Sequence, residues 1–242
     1  MAQHHIASHE EWVVARKQLL AEEKEFTRLR DRLSQKRRDL PWEAVDKEYV
    51  FEGPHGRRTL AELFDGRDQL VIYHAMFDPA TASPSTSWTA DAACQVCSFW
   101  ADNFSGIVVH LNHRDVTMVA VSRAPYAKIA AYEQRMGWTF PWFSSGETDF
   151  NFDYHVSFTP QQLAARRAEY NYVIQDLWGS EMPGVSVFAK DAEGRIFHTY
   201  STYARGLDMV NVAYHYLDLV PKGRDEGEHG ANWIRRHDEY ED

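Results

Sequence analysis

The chain has 242 residues, 44% of them hydrophobic and 14% aromatic, enough to bury one sizeable core as a single domain with extensions. Its formal net charge of −10 argues against a nucleic-acid or anionic-membrane partner, since either needs a basic face. No apolar run approaches the ~18 residues of a membrane span, and the start, MAQHHIASHEEW, lacks the basic and apolar regions of a secretory signal, so a cytoplasmic protein is expected.

Ser8 and Glu11 have capping-box spacing at the start of a helix expected over residues 8–38. Trp12, Leu19, Phe26 and Leu33 recur every seven residues on a charged background, which makes one narrow apolar stripe. Such a stripe packs along its own domain or on a second copy of the chain. The first 40 residues therefore read as an amphipathic extension, 41–220 as the main domain, and 221–242 as a charged tail.

Beyond Pro41 the pattern gives a short strand, a turn at GPHG, and a helical turn capped by Thr59. Residues 69–77, QLVIYHAMF, are apolar at nearly every position and read as a central strand covered on both faces, with His74 the exception. Residues 78–90 are a loop by composition and a candidate flap. From Cys94 the pattern turns helical, with Gly106 expected to end or break the helix. A second apolar strand, 116–122, precedes a helix opened by Pro125 and stopped at Gly137. Residues 146–182 read as an insertion with one helix, 185–190 and 196–201 as a hairpin, and 207–217 as a last helix.

The order β-α-β-α-β-β-α, with C-x-x-C at the start of the first long helix, is that of the thioredoxin fold: an α/β three-layer arrangement with a central mixed sheet and helices on both faces. Both cysteines of the chain, Cys94 and Cys97, lie in that motif. A thiol in the first turn of a helix sees unsatisfied N–H groups and the positive end of the macrodipole, which favour thiolate. A second thiol three positions on can attack a mixed disulfide. Cys94 is then the nucleophile and Cys97 the resolving thiol, with a disulfide-containing protein or a small thiol as the substrate class, and neither cofactor nor metal needed.

Several other residues carry expectations. Pro183, just before the third core strand, is placed to face the cysteines as a cis-proline. Arg123, at the shared strand edge, either holds a thiolate or anionic substrate or is a surface arginine. His74 reads as a hydrogen-bonded core histidine, and His198 alternates with apolar neighbours. Trp138 and Trp142 read as core or loop packing and Trp88 as a cover in the flap. Asp91 could cap the helix and consume donors that Cys94 would otherwise use. Cys94, Cys97, His110 and His113 nearly reproduce a zinc finger, but with two residues between the histidines where three to five are usual. Two readings thus stand beside the redox one: a zinc-stabilised fold and a non-catalytic binding module with incidental cysteines.

The runs CSFWADNF (97–104), VSRAP (121–125), RMGWTFPW (135–142), PGVSVF (183–188), FHTYSTYARG (197–206) and PKGRDE (221–226) resemble the bacterial thioredoxin-like family filed as domain of unknown function 899. The resemblance runs from about Pro41 to the tail. It implies the thioredoxin-like fold and makes Cys94, Cys97 and Arg123 the positions to carry over. The chain departs from thioredoxin itself, with Ala93 before the first cysteine and Gln95-Val96 between the two. It departs from peroxiredoxins too, with Asp91 where they carry threonine.

Overall fold

The computed structural model describes residues 4–77 and 91–241, so the expected flap at 78–90 and Trp88 lie outside the described residues. The chain divides into two compact units, Met1–Trp42 and Glu43–Asp242. The first is essentially one helix, α1 (His9–Arg38). Its capping box is formed: Ser8 Oγ accepts from the Glu11 N–H at 3.2 Å and the Glu11 carboxylate accepts from the Ser8 N–H at 2.9 Å. Acidic residues in its first turn and basic ones in its last complement the helix dipole. None of its residues is buried. Among the described residues no helix is long and apolar enough to cross a membrane.

The second unit is built on a mixed sheet. Its strands are β1 (Glu43–Ala44), β2 (Val50–Gly53), β3 (Gly56–Thr59), β4 (Gln69–His74), β5 (Val116–Ser122) and β6 (Trp142–Ser144). A separate hairpin, β7 (Ala168–Tyr170) and β8 (Val173–Gln175), comes before the last two sheet strands, β9 (Gly184–Lys190) and β10 (Ile196–Tyr203). The sheet order is β1-β10-β9-β4-β5-β6-β2-β3. β4 runs parallel to β5, with Ile72 opposite Val119, and antiparallel to β9, with Ile72 opposite Ser186; β9 and β10 are antiparallel. The helices are α2 (Leu60–Leu63), α3 (Gln95–Ala101), α4 (Phe104–Asn112), α5 (Tyr126–Met136), α6 (Phe150–Asp153), α7 (Pro160–Ala164) and α8 (Val212–Leu217). The four strands β5-β4-β9-β10, with α3 and α4 between β4 and β5 and α8 after β10, form the thioredoxin arrangement.

Strand periodicity sorts the core into two layers. Leu70 and Ile72 of β4, Val119 and Val121 of β5 and Phe188 of β9 pack with Phe64, Phe150 and Tyr154 on one face. Tyr73, Met118, Ala120 and Val185 face the other way, against Cys97, Trp100, Phe104, Ile129 and Tyr132. The thiol pair thus belongs to one face only. α5 ends as expected at Gly137, whose φ of 64° is a left-handed cap that glycine adopts without a Cβ penalty.

His74 sits on the face opposite the cysteines, buried, and its Nε2 lies 2.9 Å from Ser186 Oγ. The contact continues from Ser186 Oγ to Ser201 Oγ at 2.9 Å, from there to His198 Nε2 at 2.7 Å, and from His198 Nδ1 to Glu43 at 3.3 Å. The buried Asn151 side chain also lies against the His74 ring.

Five sequence expectations are corrected. The first long helix breaks at Asp102 and Asn103, not at Gly106, because the Asn103 side chain donates to the carbonyls of Phe99 and Trp100 and ends α3 there. Gly106 lies inside α4. The segment 146–182, expected to hold one helix, holds two short ones, α6 and α7, and then the β7-β8 hairpin, whose turn residues Asn171 and Tyr172 have φ of 54° and 62°, the signature of a tight hairpin turn. Residues 207–217 divide into a 3-10 turn (Ala204–Val210) and α8, which Asn211 caps by accepting from the Tyr214 N–H at 2.9 Å. Residues 221–241 do not trail: Ile234 and Arg236 are buried. The Met182-Pro183 bond is trans, as are all the described peptide bonds. Extended chain on both sides fixes that segment: Met182 N–H donates to Val156 O, and Tyr170 Oη donates to Pro183 O at 2.8 Å.

Two outcomes follow from the core. Phe150, inside the segment read as an insertion, is fully buried and meets Tyr49, Phe51 and Tyr154 at ring distances of 5.0, 4.9 and 4.7 Å. Phe150→Ala should cost about 3–5 kcal/mol by urea unfolding; a loss below ~1 kcal/mol would mean that this segment is only appended to the core. Burial holds His74 at about 3, against an ordinary 6.5, so the unfolded chain binds a proton that the folded chain refuses. The stability this gives is complete above pH ~6.5 and lost as pH falls toward 3. Between pH ~7.5 and ~5 the wild type should lose about 2 kcal/mol more than His74→Asn. Equal losses in the two proteins would contradict the assignment.

Candidate thiol site

The site begins where β4 runs out. Ala75 N–H still donates to Val121 O at 2.9 Å, and Ser122 Oγ donates to Ala75 O at 2.5 Å. The next residue, Met76, has both backbone polar groups taken by the C-x-x-C turn. Its carbonyl accepts from the Cys94 N–H at 3.0 Å, and its own N–H donates to Cys97 Sγ at 3.4 Å. Cys94 is the N-cap of α3 and Cys97 its third residue, with both side chains in the thiol state and each 1% exposed. The Cys94 side chain itself makes no capping bond to α3, and Asp91 is exposed.

The turn is held from behind as well. Arg236 donates to Ala93 O from Nε and Nη2, at 3.2 and 2.5 Å. Ser98 Oγ donates to Cys94 O at 2.8 Å and lies 2.8 Å from Tyr132 Oη. Glu239 ties the C-terminal segment to this support by accepting from Arg236, Arg135 and Gln95. Burial opposes the Glu239 charge, yet the Arg135, Gln95 and Arg236 donors together hold its carboxyl at about 2. None of this was visible in the sequence, where IRRHDEYED reads as a solvated run; the sole signal was Ile234 among the charges.

Burial, then the adjacent Cys94 sulfur, pushes the Cys97 thiol well above the ordinary range, and the Met76 N–H and Tyr73 hydroxyl only partly oppose this. Tyr73 is itself pushed up by burial and by the two cysteines, so it stays a neutral donor. Among the described residues, a cavity reaches each thiol. One, of about 650 Å³, is lined by Cys97 with Tyr73, Trp100 and Leu207; the other, of about 600 Å³, is lined by Cys94 with Met182, Trp178 and Ile234. Val96, Pro183, Ala204 and Ala231 line both. The residue after Pro183 must be small, because a Cβ on Gly184 would lie 2.9 Å from the Tyr203 ring and 3.0 Å from Val156.

Cys94, Cys97 and Pro183 are therefore brought together. Arg123 is engaged elsewhere: its Nη1 lies 3.9 Å from Glu181 Oε1 and its guanidinium 4.7 Å from the Phe152 ring. Glu181, a buried acid that the sequence reading passed over, accepts from the Phe77 N–H at 3.1 Å and from Ser157 Oγ at 3.2 Å. Trp142 is core, and Trp138 donates to Asp102 at 2.8 Å. His110 and His113 are exposed at the end of α4, and among the described residues no group of three or more His, Cys, Asp or Glu could hold a metal ion. The zinc reading therefore has no ligand set there.

No curated protein matches the chain. Among solved structures it is similar to the peroxidoxin BcpB of Mycobacterium tuberculosis, at 13% identity and a TM-score of 0.44 over 71% of this chain and 93% of that one. It is similar to peroxiredoxin Q of Xanthomonas campestris at 16% and 0.44 over 72% and 96%. A yeast mitochondrial 1-Cys peroxiredoxin gives 14% and 0.38 over 74% and 78%. These likenesses are remote, and the fold rests on the strand order and register above. Residues 1–240 match the sequence model described as bacterial protein of unknown function, DUF899, and the chain belongs to that family.

Proposed function

We propose that the chain is a thiol–disulfide oxidoreductase in which Cys94 attacks and Cys97 resolves. The observation that carries this is the turn itself: two thiols one helical turn apart, with Cys94 at the N-cap of α3 and Cys97 under the Met76 N–H. The Cys94 thiolate attacks one sulfur of a substrate disulfide and expels the other as thiolate. The Cys97 sulfur then attacks Cys94, expels the second half, and leaves a Cys94–Cys97 disulfide. Two electrons pass to the substrate, and the two thiol protons end on the two thiol products. Pro183 lines the wall beside both sulfurs. Arg123 acts at one remove, by holding Glu181 against the end of the first core strand.

The two thiols should differ in reactivity, because Cys97 is pushed up by burial while Cys94 caps the helix. Alkylation by a small neutral reagent, followed by peptide mass mapping on wild type, Cys94→Ser and Cys97→Ser, should label Cys94 at least ~10-fold faster near pH 7. The Cys97 rate should still be climbing above pH ~9, where thiolate fraction limits it. Faster labelling of Cys97, or two thiols inert until the protein is unfolded, would favour the non-catalytic binding module.

A further inference from the structure

We infer that the substrate is a low-molecular-weight disulfide, apolar or aromatic and without net negative charge, entering by the two cavities that meet at Pro183; this rests on the thiol–disulfide reading above. Each cysteine is only 1% exposed and lies in a cavity wall, not on an open surface. A disulfide in a folded protein arrives with chain on both sides of each half-cystine and cannot present its sulfur bond there without opening the site. Cavities of about 650 and 600 Å³ suit a small molecule, with one half in each and its sulfur–sulfur bond at the shared wall.

Charge narrows the class. The Cys97 cavity has two arginines, Arg205 and Arg224, against Asp208, Asp218 and Glu226, and the Cys94 cavity adds Asp176, which pairs with Arg166 at 3.2 Å. Arg224 is closed to a ligand carboxylate, its three guanidinium nitrogens all being engaged by acids of the chain, while Arg205 is exposed and shares Asp208 with it. Arg205 pairs with Asp208 at 3.1 Å; Arg224 pairs with Asp208 and Asp218 at 2.9 and 2.8 Å and stacks 3.9 Å over Tyr214. Among the described lining residues the balance is acidic, so an anionic disulfide meets net repulsion. In the productive step one disulfide is consumed, two small thiols are released, and the Cys94–Cys97 disulfide forms.

The test uses the reduced full chain in single turnover with three probes: dithiodipyridine, which is neutral and aromatic; dithiobis(nitrobenzoate), which is dianionic; and insulin. Rates with the first two are normalised to those of a free small thiol. Dithiodipyridine should react at least ~10-fold faster than the dianion after normalisation, with saturation, and insulin should stay unreduced. Ala231→Phe, which fills the place where the cavities meet, should slow dithiodipyridine by ~10-fold or more at an unchanged thermal midpoint. Equal normalised rates, or insulin reduced as fast as dithiodipyridine, would overturn the inference and leave the oxidoreductase standing. If no probe oxidises the native pair while both thiols titrate after unfolding, the oxidoreductase reading falls, and this inference with it.

Discussion

Everything at the candidate site depends on the backbone of Met76. A strand that ends inside a protein leaves polar groups needing partners, and burial without them is costly. Here the partners are the Cys94 N–H and the Cys97 sulfur, so one residue fixes both ends of the C-x-x-C turn. The same bonds that complete the strand set the positions of the thiols. The supports behind the turn act on the adjoining residues: Arg236 and Ser98 occupy the carbonyls of Ala93 and Cys94. These bonds occupy the N–H and carbonyl of Met76, the carbonyl of Ala93, and the N–H and carbonyl of Cys94.

The two faces of the sheet divide the work. Alternation along β4 sends Tyr73 toward the thiols and Ile72 and His74 toward the opposite layer. The thiol face is rich in aromatic and small residues that leave cavities, whereas the other is filled by rings in edge contact around Phe150. Substitution in the filled layer should register in stability, and substitution along the cavities in ligand selection.

The fold was largely legible because its signals are local. The apolar runs of β4 and β5, Pro125 before α5, Gly137 after it and the turn between β9 and β10 each announce themselves within a few residues. The C-x-x-C placement was legible for the same reason. What stayed hidden depends on distant partners. Arg236 and Glu239 look like solvated charges until the chain returns to Ala93. Asn103 ends a helix through its side chain, where a nearby glycine was the more obvious breaker. The proline geometry was misjudged because the hairpin that holds Pro183 in its trans form lies inside a segment that reads as irregular. Arg123 was placed at the correct sheet edge, but a buried acid across the gap, Glu181, decides what it touches.

The chain of contacts from Glu43 to His74 settles a proton far from solvent. A carboxylate beside His198 Nδ1 favours the proton on that nitrogen, so His198 Nε2 accepts from the Ser201 hydroxyl. Ser201 then accepts from Ser186, and Ser186 from His74 Nε2–H. That puts the His74 proton on Nε2 and leaves Nδ1 as a lone pair. A surface glutamate on an edge strand thereby selects the tautomer of a buried imidazole through two hydroxyls. The five side chains share a single direction of hydrogen bonding.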